Sequence, residues 1–386
     1  MSPNVPFRVL LSVVILGFAP LPDARSASSF ESISVASNVA YLGFSSAAGS
    51  NYLLEFTTDL VSDTWTPTGG ILTATGSTTV AQDAIGLSVH RAYRVVVNPP
   101  LVTLECVPVG NAGNTNDPGG GMIGAVSYDY EIGATEVSND EYARFLNAVD
   151  PDGLNALALY NDNMSGTFFV EGGITNNAGN PAGSKYEVSG GFADRPIVFV
   201  SFYDTMRFCN WLHNGAQPGG DTEDGAYTLL GGTAVPSNAA TVTRNPGAAF
   251  VVPSDDEWYK AAYHEPAGAG GDVDDYWLYP TRSNTAPTPE LPPGGSNSAN
   301  YGNLAPPAGP GTTTEGGAYA SATSFYGTLD QAGNVWEWSE TIRTPGARVI
   351  WGGSFEGAAN SLRSTGSLDF FPDGEAFSFG FRVAKP

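Results

Sequence analysis

Two acidic residues, Asp330 and Glu337, lie within the segment Gly-Thr-Leu-Asp-Gln-Ala-Gly-Asn-Val-Trp-Glu-Trp at residues 327–338. The glycine and asparagine between them favour a turn, so the chain can fold back and bring both carboxylates to one place. Hard cations such as Ca²⁺ take several oxygen ligands, backbone carbonyls included. The spacing therefore predicts a small calcium site beside Trp336 and Trp338, and a turn with two exposed acids is the plainer alternative.

Other side chains that could do chemistry are poorly placed for it. The histidines His90, His213 and His264 are not at the spacing of a metal site, which argues against zinc or iron. Ser354 follows two glycines, as the nucleophile of a hydrolase turn does, but Glu356 stands where that turn needs a glycine. The sequence therefore predicts no catalytic residue.

The composition excludes several classes of partner. The 386 residues carry 39 acidic and 16 basic side chains, which gives a formal net charge of −23. Binding to nucleic acid or to an anionic membrane requires cations that neutralise phosphates, so we expect neither partner. The 48 glycines and 28 prolines predict many turns and few long helices.

Residues 1–26 have the pattern of a secretory signal peptide. Arg8 precedes an apolar run at residues 9–21 that is too short to span a bilayer comfortably, and Ala-Arg-Ser at residues 24–26 offers a cleavage point. We therefore expect an extracytoplasmic (secreted, periplasmic or cell-surface) mature chain without a membrane span, and an uncleaved anchor is the alternative. Export would permit a disulfide between Cys106 and Cys209, but the pattern around Cys209 equally fits a free, buried cysteine in a helix.

Two domains are expected after the signal. Residues 30–97 contain short β-prone runs with Gly69-Gly70 and Gly76-Ser77 between them, and they resemble a small β-sandwich module of fibronectin type III character. Residues 98–100, Asn-Pro-Pro, are typical of a linker. Residues 101–386 then form the second domain.

The second domain should contain three helices among long loops. Helices are predicted to begin at Ser138, Ser201 and Ser254, because each serine stands three residues before an acidic residue, as in a capping box. The segments at residues 160–194 and 265–320 are rich in small and polar residues and are expected to be ordered coil.

Six short motifs follow one another in this domain. They are Thr-Glu-Val-Ser at 135–138, Arg-Pro-Ile-Val-Phe-Val-Ser at 195–201, Val-Pro-Ser-Asp-Asp-Glu-Trp at 252–258, Gly-Asn-Val-Trp-Glu-Trp at 333–338, Trp-Gly-Gly-Ser-Phe at 351–355 and Gly-Phe-Arg-Val at 380–383. Taken in this order, the motifs resemble the sulfatase-modifying factor family, whose namesake is the formylglycine-generating enzyme. The resemblance covers residues 104–386.

The resemblance implies an α+β fold, a C-type-lectin-like domain with short strands, two or three helices and much ordered coil. It also implies a calcium ion in the segment at 327–338. The implied ligands are the side chains of Asp330 and Glu337 and the carbonyl groups of Gly333 and Val335. A second calcium site of the family would use Asn300, with Glu315 as its carboxylate partner.

The cysteine pair of the family is missing from this chain. The formylglycine-generating enzymes carry two cysteines shortly after Gly-Gly-Ser, and these bind copper and engage the substrate cysteine. Here Gly357 and Leu362 occupy that region, and no cysteine follows Cys209. Because Cu(I) prefers soft thiolate ligands, we expect no copper site. The histidine-rich domain with which other relatives bind iron is also missing.

Two classes of function are compatible with this sequence. The first is a non-catalytic, calcium-stabilised module that binds a protein or a glycan through a face built from residues 355–379. In that face, Leu-Asp-Phe-Phe-Pro at 368–372 offers aromatic side chains either to a partner or to the core. The second is a formylglycine-generating-type oxidoreductase, or another enzyme whose active residues are not recognisable. The missing cysteines favour the first class.

Overall fold

The computed structural model describes residues 14–15, 30–36, 39–48, 50–59, 65–85, 91–97, 101–166, 172–303 and 309–386. The chain divides into two compact units, residues 1–101 and residues 102–386. Of the predicted signal peptide, only the short strand Val14–Ile15 falls within the described residues, and the predicted linker lies outside them. No helix of the described ranges is long and apolar enough to cross a bilayer.

The regular structure described between residues 30 and 97 consists of strands. One antiparallel sheet contains Phe30–Ala36, Val39–Ser45 and Thr78–Ala84. The other sheet contains Val14–Ile15, Ala92–Val97, Asn51–Thr57, Thr66–Pro67 and Leu72–Thr73. Because side chains alternate between the two faces of a strand, each sheet has an apolar face, and Leu42, Leu54 and Val95 from the two sheets share one core.

Three α-helices of the second unit begin where the capping boxes predict. They are Asn139–Val149, Phe202–His213 and Asp255–Tyr263. In each box the serine side chain accepts a hydrogen bond from the backbone N–H three residues on, and the acid at that position accepts one from the serine N–H. This arrangement satisfies backbone donors that a helix start otherwise leaves unpaired. The three predicted helix starts are therefore confirmed.

Two sheets organise the second unit. The first places Tyr130–Gly133 between Cys106–Val109 and Ala384–Lys385, so strands from the beginning and the end of the unit pair with the same central strand. The second contains, in spatial order, Leu368–Phe370, Arg348–Trp351, Trp336–Trp338 and Phe379–Gly380. Its last pair of strands is parallel, and the other pairs are antiparallel.

Short elements interrupt the remaining coil. Ile174–Asn176 pairs with Tyr186–Val188, and Thr288–Pro289 pairs with Ser298–Ala299. The 3₁₀ helices are Asp162–Ser165, Ala267–Ala269 and Ala359–Leu362. The segment at 265–320, expected to be coil alone, therefore contains a helical turn and a pair of two-residue strands.

Aromatic side chains pack on both faces of the strand Trp336–Trp338. Trp258 stacks on Trp351 with ring centroids 5.6 Å apart, and Trp338 makes an edge contact with Phe202 at 6.1 Å. These four side chains are at most 1% exposed. Burying one large apolar side chain contributes about 1.5–3 kcal/mol, so this packing fixes the strand and the loop that leads into it.

Candidate functional site

The loop before Trp336–Trp338 is held against a second segment at Gly333. Gly333 has a φ of 90°, and a Cβ atom at this position would lie 2.1 Å from the carbonyl oxygen of Asn300. Only glycine fits there, because it has no Cβ and tolerates a left-handed backbone. The N–H of Asn334 donates to the same carbonyl of Asn300 at 2.9 Å. The structure thus brings Asn300 against the 327–338 segment.

Asp330 stands at the start of this loop with a left-handed backbone of its own, at a φ of 61°. Its Oδ2 accepts a hydrogen bond from the N–H of Gly317 at 2.6 Å. Desolvation raises the pKa of Asp330 to about 6 and the negative charge of Glu337 adds to this rise, whereas the Gly317 bond and Arg382 oppose it. Asp330 is therefore a half-buried carboxylate with one amide partner.

The backbone carbonyls of Gly333 and Val335 are available to a ligand. Among the described residues, no donor forms a hydrogen bond with either oxygen. Backbone carbonyls away from water normally find a partner. These two oxygens belong to residues three and five positions after Asp330 in the chain, and oxygen donors of this kind suit a hard cation.

Glu337 is fully buried, and its carboxylate is already heavily bonded. The guanidinium of Arg382 donates through Nε to Oε2 at 2.5 Å and through Nη2 to Oε1 at 2.7 Å. The indole N–H of Trp258 donates to Oε2 at 2.7 Å. A carboxylate offers about four lone-pair positions, so Glu337 can offer a cation one position, on Oε1.

Arg382 balances the charge of Glu337 and ties three segments together. Its Nη1 donates to the carbonyl of Gly133 at 2.9 Å, and its Nη2 donates to the carbonyl of Leu329 at 3.0 Å. Neither Arg382 nor Glu337 is exposed at all. The loop that carries Asp330 is therefore attached through Arg382 to the stretch between the strands Phe379–Gly380 and Ala384–Lys385, and to the strand Tyr130–Gly133.

Glu136 is a member of this site to which the sequence reasoning gave no role. Its side chain is 4% exposed, and its Oε1 accepts a hydrogen bond from Nδ2 of Asn334 at 3.1 Å, while its Oε2 has no hydrogen-bond partner among the described residues. Desolvation raises the pKa of Glu136 well above its usual value, Asp330 and Glu337 raise it further, and Arg382 opposes them. The signal available in the sequence is a single acid in the otherwise uncharged run at residues 132–138.

The two residues of the second predicted calcium site lie in different surroundings. Asn300 is buried, and its Nδ2 donates to the carbonyl of Thr312 at 2.8 Å and to Oδ1 of Asn334 at 3.2 Å. Glu315 is exposed to solvent. Within the described ranges, no three histidine, cysteine, aspartate or glutamate side chains converge closely enough to hold a metal. An ion in this region would therefore need backbone carbonyls among its ligands.

The two thiols of the chain lie on separate elements. Cys106 begins the strand Cys106–Val109 and Cys209 lies in the helix Phe202–His213, and both are free. Burial raises the pKa of both thiols, most strongly at Cys209, and Lys385 partly offsets the effect at Cys106. The thiolate is the form that binds metals and attacks substrates, so both sites disfavour the reactive form.

Two surface features of the second unit could receive a partner. The edge strand Leu368–Phe370 and the residue after it expose Leu368 at 50%, Phe370 at 37% and Phe371 at 70%. A separate polar cavity of about 400 Å³ is lined by Trp277, Thr281, Arg282, Ser283, Ser296, Asn297, Ser321 and Thr323. The first feature suits an apolar protein surface, and the second suits a ligand rich in hydroxyl groups.

Comparisons with known proteins identify one family. The family model described as the sulfatase-modifying factor enzyme 1-like domain matches residues 107–386. No curated protein sequence matches the chain.

Three solved structures that resemble the chain have low sequence identity. Variable protein 1 of Treponema denticola is 20% identical to this chain, and the match covers 72% of this chain and 94% of the Treponema protein, with a TM-score of 0.44. CarF is 18% identical over 74% of this chain and 98% of its own, with a TM-score of 0.44. PvdO from Pseudomonas aeruginosa is 16% identical over 74% of this chain and 92% of its own, with a TM-score of 0.38.

Proposed function

Because the chain belongs to the sulfatase-modifying factor family, matched over residues 107–386, we propose that it is an exported, calcium-stabilised binding module of that family that does not catalyse formylglycine formation. The finer fold that we propose for it is the C-type-lectin-like one, preceded by a small β-sandwich. The state of the two thiols is the observation that carries this proposal.

The positions of the two thiols in the fold and their raised pKa values both argue against a copper-dependent oxidase reaction. Copper(I) is held by soft thiolate ligands, and a cysteine pair does this in the catalytic relatives, after the motif Gly-Gly-Ser. Cys106 and Cys209 lie on a strand and a helix outside that motif, and burial raises the pKa of both. The segment after Ser354 has no sulfur ligand to offer, because no cysteine follows Cys209.

Calcium is proposed at the 327–338 segment. Asp330 would supply a carboxylate, and Gly333 and Val335 would supply carbonyl oxygens that accept no hydrogen bond from the described residues. Glu337 has one lone-pair position left beside Arg382. All of these are hard oxygen donors, which Ca²⁺ prefers. The ion would join the loop to the central strand and thereby stabilise the second unit.

A partner is proposed at the exposed edge formed by Leu368, Phe370 and Phe371. Large exposed apolar side chains in one patch commonly mark a protein-interaction surface. The open edge of the strand Leu368–Phe370 also leaves backbone groups for a partner strand. A glycan is the second candidate, because hydroxyl and amide groups line the polar cavity around Trp277 and Asn297.

The absence of oxidase activity can be tested directly. The full chain, loaded with copper, is incubated with oxygen and a cysteine-containing sulfatase peptide, and the peptide is then analysed by mass spectrometry. We expect no aldehyde above a control without protein. Aldehyde that is lost in a Cys106→Ser/Cys209→Ser variant would show that the chain is an oxidase and that this part of the proposal is wrong.

The binding face can be tested with a matched pair of variants. Phe371→Ser removes the most exposed aromatic side chain of the edge, and Leu154→Ser removes an apolar side chain that is 79% exposed elsewhere. Wild type and both variants are applied to arrays of immobilised glycans and of extracellular proteins from the source organism. We expect a protein ligand whose binding is lost in Phe371→Ser and kept in Leu154→Ser. Equal binding by all three would exclude this edge as the binding face.

A further inference from the structure

The polar cavity around Trp277 presents hydroxyl groups that the protein does not use. Ser296, Ser321 and Thr323 line it, and their side chains form no hydrogen bond with the described residues. A serine or threonine hydroxyl offers one donor and two acceptor positions. The cavity thus holds three groups that can both donate to and accept from a ligand, and such groups match the hydroxyl groups of a polyol.

The wall of the cavity is fixed by bonds within the chain. The hydroxyl of Thr281 donates to Oδ1 of Asn297 at 2.6 Å, and Nδ2 of Asn297 donates to the carbonyl of Thr285 at 3.2 Å. These bonds join two segments that both contribute to the lining. A ligand would therefore meet side chains that are already in place, and this preorganisation lowers the entropic cost of binding.

The charged side chain on the cavity wall, Arg282, is neutralised by the protein itself. It forms a two-point ion pair with Glu265, which is fully buried, and the indole N–H of Trp277 donates to the same carboxylate at 2.8 Å. Burial favours a higher pKa for Glu265, but the bonds from Arg282 and Trp277 lower it below its usual value. The pair is therefore ionised and has no net charge, so a charged ligand finds no counter-charge here.

Two groups remain for a ligand at this end of the cavity. Nη1 of Arg282 makes no hydrogen bond with the described residues, and it can donate to a ligand oxygen. Trp277 is partly exposed, and because its N–H is taken by Glu265, its ring offers an apolar surface. A sugar ring combines C–H groups with hydroxyl groups, and the volume of about 400 Å³ lies at the small end of the range for ligand sites.

We propose that this cavity binds a neutral carbohydrate of one or two rings. The sugar packs a ring face on Trp277 and forms hydrogen bonds with Nη1 of Arg282 and with the hydroxyl groups of the wall. Glu265 is a positioning residue that orients both Trp277 and Arg282. This inference deepens the glycan alternative of the proposed function and rests on it, and it does not depend on the protein partner proposed at the exposed edge. The competing explanation is a cavity that holds only water.

Sugar binding by the full chain tests the proposal. The probes are the neutral disaccharides cellobiose, maltose and lactose, with glucuronic acid and glucosamine as charged counterparts, and the methods are saturation-transfer difference NMR and isothermal titration calorimetry. We expect a neutral disaccharide to bind more tightly than either charged sugar. Ser321→Ala/Thr323→Ala should weaken its binding by about tenfold or more, because two hydrogen bonds are lost. Ser237→Ala, at an exposed serine outside the cavity, should bind as the wild type does.

The role of Glu265 has its own readout. Glu265→Gln keeps the shape of the side chain but leaves the charge of Arg282 without a partner, so the preference should shift from neutral sugars towards glucuronic acid. A residue that only supported the fold would lower the melting temperature without changing this preference. An unchanged preference in a folded variant would therefore refute the positioning role.

The remaining outcomes separate this inference from the proposed protein-binding face. If no neutral disaccharide binds, the inference is wrong, whereas the edge is judged separately by the protein ligand and Phe371→Ser. Phe371→Ser should bind the sugar as the wild type does. Equal affinity of the wild type and Ser321→Ala/Thr323→Ala would place the sugar outside the cavity and overturn the inference. Tighter binding of a charged sugar by the wild type would overturn it as well.

Discussion

Removing Arg382 tests whether the buried ion pair holds the central loop. In Arg382→Met, Glu337 keeps only the bond from Trp258 and is left as a buried charge without a counter-ion. Breaking a buried pair in this way costs about 3–5 kcal/mol. The carbonyls of Gly133 and Leu329 also lose a donor, which places the expected loss at the upper end of that range.

The loss should be visible as a large fall in thermal stability. For a unit of this size, 1 kcal/mol corresponds to about 2–4 °C in melting temperature, so a loss of about 5 kcal/mol should make Arg382→Met melt roughly 10–20 °C below the wild type. The assay is denaturation at a fixed calcium concentration, because a bound ligand itself shifts stability. Arg144→Met is the control, since Arg144 pairs with Asp140 at the surface, with exposures of 54% and 42%. It should change stability by less than about 0.5 kcal/mol.

A second substitution tests the reason for the loss. In the double variant Arg382→Met/Glu337→Gln the stranded charge is gone, so the double variant should be more stable than the sum of the two single changes predicts. Interacting residues show coupling of about 0.5–3 kcal/mol in such a cycle. A cost below about 1 kcal/mol for Arg382→Met, or strictly additive single changes, would refute the reasoning that this pair organises the loop.

Three further predictions concern single features. Gly333→Ala should lower the free energy of unfolding by more than about 2 kcal/mol, because the left-handed backbone is strained with a Cβ and that Cβ would lie 2.1 Å from the Asn300 carbonyl oxygen. Gly346→Ala is the control, since Gly346 is also left-handed but has open space around it. In the same denaturation assay it should lose only the contribution of the backbone strain. Burial raises the pKa of Asp204 to about 7, so its protonated form stabilises the fold below the unfolded pKa of about 3.9 and this contribution disappears as the pH rises towards 7. Asp204→Asn should flatten the pH dependence of unfolding between those limits, and an unchanged slope would contradict the assignment. N-terminal sequencing of exported protein should find residues 1–26 removed, and an intact Met1 would show that the segment is not a cleaved signal.

The helices of the second unit were predictable because their signals are local. Each capping box spans four residues, and the hydrogen bonds it predicts are the ones that form at Ser138, Ser201 and Ser254. The strands of this unit are two to four residues long, too short for an alternating pattern to identify them. Their pairing joins distant segments such as Tyr130–Gly133 and Ala384–Lys385, and no sequence window contains both members.

In the candidate site, too, the local features could be predicted from the sequence and the contacts between distant residues could not. The acids and the turn of the 327–338 segment were recognisable, because they lie within twelve residues. The partners of Glu337 were not, since Trp258 and Arg382 come from a helix and from the end of the chain. Glu136 was visible as part of a family motif, but its contact with Asn334 depends on the folded structure. Burial, which makes its unsatisfied oxygen significant, cannot be read from residue types.

The charged side chains around the 327–338 loop indicate how much of its stability depends on a bound ion. Arg382 neutralises Glu337 from within the chain, so the central strand and its loop can form before any ligand binds. Asp330 and Glu136 have no such internal partner among the described residues. The second unit should therefore stay folded in chelator but gain stability as calcium saturates it, by about 2.7 kcal/mol at a hundredfold excess over the dissociation constant. If chelation instead unfolds the unit completely, the ion is part of the fold itself, and Arg382 is insufficient to hold the loop.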